Sequence, residues 1–181
     1  VSSANVGTGK NVTSANLALA NGSGSASNYS INSLTAEITG RPVTISGSRL
    51  YDSTTTASSS ILTITSGVSG ESLSLTGSGV LGAASAGTQT VTNNNTLAIA
   101  NGTGLASNYT LSGATINVTV IPRALNVTLS REYDGTTVVS GASLTPTFDS
   151  LQGGETLALS GTGSVSTANV ESSKTVTLGT I

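Results

Sequence analysis

"TINVTVIPRALNVTLS" runs from Thr115 to Ser130, and its alternation decides the fold class. Ile116, Val118 and Val120 fall on one side of an extended chain, with Asn117 and Thr119 on the other. After a break, Leu125, Val127 and Leu129 alternate with Asn126 and Thr128 in the same way. A period of two is that of a half-buried β-strand. Between the runs sits Pro122, which has no N–H for a ladder and holds φ at about −65°, so it marks an edge or a stiff hinge. One strand ends there and the next starts almost at once.

The same alternation recurs along the chain. Leu73 and Leu75 alternate with Ser72, Ser74 and Thr76, and Leu157 and Leu159 repeat the pattern. Leu17 with Leu19, and Leu97 with Ile99, offer two more candidate strands. Clusters of Gly, Asn and Ser between them supply turns and positive φ angles. No apolar stripe at helical spacing lasts beyond two turns, so an all-β fold is expected.

The pattern is also written more than once. "NGSGSASNYS" at 21–30 returns as "NGTGLASNYT" at 101–110, with seven of ten positions identical and two Ser/Thr exchanges. Tyr51-Asp52 returns as Tyr133-Asp134, and "GESLSLTGSG" at 70–79 returns as "GETLALSGTG" at 154–163. The N-terminal "VSSANVGTGKNVT" shares eight of thirteen residues with "VSTANVESSKTVT" at 165–177. These landmarks divide the chain into the later half of one copy (1–40), a complete copy of 82 residues (41–122) and the earlier part of the next (123–181). The expectation is a piece of an array of β-sandwich-type, Ig-like repeats, each with six or seven short strands. With so little linker at Pro122, the repeats should stack end to end as a rod. A β-solenoid is the alternative, but its coils repeat every ~20–30 residues, and no such inner period is present.

Composition narrows what the chain can do. Charged residues are 8% of 181, the net charge is −2, and there is no histidine, cysteine, methionine or tryptophan. Six scattered basic residues make no phosphate-binding stripe, so nucleic acid is not an expected partner. Without cysteine there are no disulfides or thiolate metal sites, and eight acids spread singly make no dense calcium cluster. No stretch approaches the ~20 apolar residues of a membrane span. Hydroxyls are abundant, but no imidazole, thiol or convincing Lys or carboxylate pair activates them. The expectation is therefore no enzyme, no cofactor and no metal.

Five motifs recur in order: "REYDGTTVVSGASL", "GGETLALSGTG", "SSANVGTGKNVT", "ASNYTL" and "INVTVIPRALNV". Together they resemble the YDG-type repeats of large secreted bacterial adhesins, related to filamentous haemagglutinin and exported by two-partner secretion. The resemblance covers essentially the whole chain. Departures are Ser53 in place of the motif glycine kept at Gly135, Glu71 and Glu155 where the family has aspartate, Ser27 and Ser107 before the Asn-Tyr pairs, and Gln89 in place of the lysine seen at Lys10 and Lys174. The resemblance implies a stalk or fibre segment on the outer surface of a Gram-negative bacterium, or released from it. Length, stiffness and display in adhesion or biofilm would be its contribution. Its partners would be neighbouring repeats, with polysaccharide, a host surface or homotypic contacts beyond them. The alternative is a module binding polysaccharide or host glycans through Ser/Thr/Asn-rich faces.

The recurring polar residues read as structural. Tyr51-Asp52 and Tyr133-Asp134-Gly135 are expected to be turn locks, the aspartate capping nearby N–H groups and the ring packing on a sheet edge. Asn28-Tyr29 and Asn108-Tyr109 are expected to supply one anchoring tyrosine per copy at a β-corner, its phenol bonded to backbone. Lys10 and Lys174 read as ordinary solvated lysines.

Overall fold

In a computed structural model, which describes residues 1–13, 17–141 and 144–178, the chain is all-β. Helical structure among these residues is confined to short 3-10 turns such as Ala26–Asn28 and Ala106–Asn108. Two compact units form. The first joins Val1–Arg49 with Thr55–Val120, and the second joins Leu50–Thr54 with Ile121–Ile181.

The strands of the first unit are β1 (Gly7–Asn11), β2 (Thr35–Ile38), β3 (Arg41–Pro42), β4 (Thr44–Leu50), β5 (Thr56–Ser58) and β6 (Leu62–Thr65). They continue as β7 (Leu73–Thr76), β8 (Ser78–Leu81), β9 (Gly87–Asn93), β10 (Ala98–Asn101), β11 (Tyr109–Thr110) and β12 (Ile116–Ile121), whose last residue crosses into the second unit. Six of them form one sheet in the order β5-β8-β9-β12-β4-β6, curled like half a barrel. The first long strand after the Arg41 junction thus lies beside the last one. β4 pairs antiparallel with β6, β9 with β12, and β8 with both β5 and β9. This is not the stacked parallel coil of a β-solenoid. Antiparallel β7–β10, parallel β3–β11 and antiparallel β1–β2 are two-stranded additions.

Burial follows the alternation where a strand has neighbours on both sides. Along β12, Ile116, Val118 and Val120 are buried while Asn117, Thr119 and Ile121 face out. Val43, Ile45, Leu97, Tyr109 and Ile116 form the core of this unit, with Leu62, Ile64, Leu73, Leu75, Val91 and Ile99 packed around them. Leu73 and Leu75 are inward on β7, which pairs with β10 in register from Leu73↔Asn101 to Thr76↔Ala98.

The second unit holds β13 (Val127–Ser130), β14 (Val138–Ser140), β15 (Thr145–Phe148), β16 (Thr162–Ser164) and β17 (Thr177–Leu178). β13 pairs with β15, and β14-β16-β17 make a three-stranded sheet around buried Val139.

Two expected strands do not form. Residues 155–160 carry the same alternation as β7 but no ladder, and Leu157 is exposed. Leu17 and Leu19 likewise lie outside any strand and are exposed. A strand needs a partner to satisfy its N–H and C=O groups. For 73–76 that partner is β10; no described strand offers itself to 155–160 or 17–19.

Candidate functional site: the recurring turn clasps

The Tyr-Asp turns are built alike. Asp52 Oδ1 accepts from both the N–H and the hydroxyl of Thr54, each at 2.9 Å. Asp134 Oδ1 accepts from the same two groups of Thr136, again at 2.9 Å each. The Thr136 N–H and hydroxyl hold the Asp134 carboxyl below the usual carboxylate value, with the Arg131 guanidinium adding to the effect. Arg131 also donates to the Val138 carbonyl at 2.9 Å and to Thr136 O, so it ties both limbs of the loop together.

Between aspartate and threonine the backbone turns left-handed, with φ of 61° at Ser53 and 76° at Gly135. A left-handed residue bearing a Cβ costs roughly 1–2 kcal/mol, while glycine's extra unfolded freedom returns about 0.4–1 kcal/mol of that gain. Ser53→Gly is expected to stabilise the fold by about 0.5–1 kcal/mol, read as a higher midpoint in thermal or urea unfolding. A lower midpoint would mean that the serine side chain contributes more than its backbone angle costs.

The tyrosines behave differently from expectation. Tyr109 is buried in the core at 8% exposure, and its phenol donates to the Glu71 carboxylate instead of to backbone. Tyr51 is half-buried; its phenol donates to Glu155 Oε1. Its N–H donates to Ile121 O at 2.9 Å, and its carbonyl accepts from Arg123 Nε at 3.0 Å. Glu71 and Glu155 occupy equivalent places in "GESLSLTGSG" and "GETLALSGTG". In both phenols the hydrogen bond to glutamate, followed by desolvation, raises the pKa above 10.0, because ionisation would forfeit that bond and set two anions side by side.

Tyr29 and Tyr133, both expected to pack, are exposed at 70% and 66%. Their turns are nevertheless formed. Asn21 Oδ1 accepts the Ala26 N–H at 2.7 Å and Asn101 Oδ1 accepts the Ala106 N–H at 2.8 Å. Gly22 N to Gly24 O and Gly102 N to Gly104 O are each 3.2 Å. The twice-written segment is therefore a self-bonded loop leading into a 3-10 turn. What covers its tyrosine comes from outside the segment: the core in one copy, solvent in the other. Asn28 donates its backbone N–H to Ser25 O at 3.2 Å. Asn108 does more: its Oδ1 accepts the Val6 N–H at 2.9 Å and its Nδ2 donates to Asn5 Oδ1 at 3.0 Å.

A further clasp involves the lysines. Lys10 Nζ donates to Ser3 Oγ at 2.7 Å, and Lys174 Nζ donates to the Thr167 hydroxyl and carbonyl at 2.9 Å each. Ser3 and Thr167 both lie seven residues before their lysine. Lys174 is not the solvated side chain its sequence suggests: its side chain is 14% exposed, and it also bonds Asn169 O and faces Glu171 at 3.6 Å. Gln89, where the middle copy lacks lysine, donates to Ser85 O at 3.0 Å and so closes its own loop.

The sequence places Glu71 and Glu155 at the family's aspartate position but assigns them no role, and it assigns none to Arg123 or Arg131. A signal was available: the same charged residue recurs at the same motif position in a chain with only 8% charged residues. Among the described residues no three acidic side chains gather where a metal could sit. Asp52, Asp134, Tyr51, Tyr109 and Asn108 bond to the chain itself, which holds their loops in place.

The fold and these clasps define a tandem all-β repeat protein whose signature residues hold its own loops. A family model for the YDG domain matches residues 36–117 and again residues 121–181, and the chain belongs to the YDG domain family. No curated protein and no solved structure matches it.

Proposed function

We propose that this chain is a stalk or fibre segment of a secreted or cell-surface adhesin of a Gram-negative bacterium, exported by two-partner secretion. In this reading, Ig-like copies stack end to end and contribute reach, stiffness and display in adhesion or biofilm. The observation that carries the reading is the spending of the signature residues: Asp52, Asp134, Tyr51, Tyr109 and Asn108 direct their polar atoms at their own chain. A module selected to bind a ligand would turn most of these polar atoms outward. Two recurring YDG matches in tandem support it further.

Small-angle scattering tests the mechanical part. A compact chain of 181 residues has a radius of gyration of about 16 Å, and end-to-end copies are expected to give a value well above it. A globular profile would sink the stalk. Glycan binding is the rival reading, favoured by the exposed rings of Tyr29 and Tyr133, since aromatic faces are what sugars stack on. Polysaccharide pull-down that is lost in Tyr29→Ala would replace the stalk reading with that one.

A further inference from the structure

The Tyr51-Asp52 turn opens the copy that runs from Arg41 to Pro122, yet residues 50–54 are built into the compact unit formed by Ile121–Ile181. Arg123 and Glu155, which hold it, belong by sequence to the copy that follows. Asn5 and Val6 repeat this relation within the first unit. They belong to the earliest copy, and Asn108 of the next copy holds both. In two independent places, then, a loop of one copy is fastened by polar side chains of its successor.

The third copy presents the same two loops. Its Tyr133-Asp134-Gly135 turn has the hydrogen bonds and left-handed φ of its counterpart, but its ring is 66% exposed. Val170, the counterpart of Val6, is 86% exposed. On the receiving side, the counterparts of Arg123 and Glu155 are Arg41 and Glu71. Glu71 holds Tyr109 through Oε2, and a carboxylate has a second oxygen with which to accept another phenol.

We propose that the Tyr133-Asp134-Gly135 turn is the docking element for a following YDG copy, whose arginine and glutamate equivalent to Arg41 and Glu71 receive it. In an array, each Gly-Glu carboxylate then bridges two tyrosines, one from its own copy and one from the copy before. Consecutive copies are interlocked by side chains as well as joined by the chain. The inference requires only that copies follow one another, and it holds or fails whatever the array is for.

Spacing allows a direct test. Tyr51 precedes Arg123 by 72 residues and Glu155 by 104. Joining a second run of residues 14–181 after Thr177 continues the repeat in register. It places the appended Arg41 72 residues after Tyr133 and the appended Glu71 102 after it, two fewer because that copy has the shorter loop. Tyr133→Phe, which removes only the hydroxyl, is expected to leave the unfolding midpoint of the 181-residue chain unchanged. In the extended chain it should lower the folded-to-unfolded ratio by about tenfold, the size of one hydrogen bond to a charged group. With Glu71→Ala in the appended run alone, which removes the acceptor, that cost should vanish. Amide exchange at Gly135 and Thr136 should also slow about tenfold on extension, by the same hydrogen-bond scale. A silent Tyr133→Phe in the extended chain, a cost that persists beside Glu71→Ala, or unchanged exchange would each overturn the proposal.

Discussion

Gly77→Ala is expected to destabilise the first unit strongly, by about 2–5 kcal/mol. Gly77 ends β7 with φ of 76°, and a Cβ placed on it would lie 2.1 Å from Thr96 O and 2.6 Å from Thr96 C. Those are backbone atoms, so no rotamer change relieves the contact. The region cannot spread readily either: Ser59 N donates to Gly77 O at 2.9 Å, and Thr96 N donates to Ser78 O at 3.1 Å, which fixes the two segments against each other. A left-handed alanine costs roughly 1–2 kcal/mol and forced overpacking about 1–3 kcal/mol more. The sum is a large part of the ~5–15 kcal/mol that holds a domain together. Circular dichroism should show a strong fall in the melting temperature of this unit. An alanine variant that melts with the parent would mean that the β7–β8 corner is looser than its hydrogen bonds make it. Gly161 stands at the equivalent place with φ of 82°, so the left-handed bend belongs to the repeat and not to one copy.

That recurrence shows which parts of the fold can be read from sequence. Features whose atoms lie within a few residues are encoded locally, and they form wherever the motif is written. The Asp52–Thr54 and Asp134–Thr136 turns and the Asn21 and Asn101 loops are of this kind. The alternation around Thr115–Ser130 is local too, and β12 and β13 form where it places them. Burial is not local. Tyr29 and Tyr109 sit in nearly the same ten residues, at 70% and 8% exposure, because a ring is buried by whatever packs on it. The same reason separates β7, which has β10 beside it, from residues 155–160, which have the pattern without the ladder. The glutamates were illegible for a related reason. The phenol of Tyr51 finds Glu155 104 positions away, and no local period points across that distance. Recurrence was the only trace they left.

Ile45→Ala and Val127→Ala measure this distinction at one sequence slot, four residues after the junction arginines Arg41 and Arg123. Ile45 lies on β4 opposite Ile64 in the ladder, 2% exposed, in the core with Val43, Leu97, Tyr109 and Ile116. Removing its outer carbons from a site that cannot collapse should cost about 2–5 kcal/mol. At several degrees per kcal/mol for a domain of this size, that is a fall of on the order of 10–20 °C in the first unit's melting temperature. Val127 begins β13 opposite Phe148 and is 39% exposed. Its truncation should cost less than about 1 kcal/mol, the scale of strand preference at a half-open site. Differential scanning calorimetry, resolving the transitions of the two units, provides the comparison. Equal costs would show that the outward face of β13 is covered in solution. Unequal costs in the predicted order mean that the first unit draws its stability from a core that its own strands complete, whereas β13 carries the same pattern with one face still open.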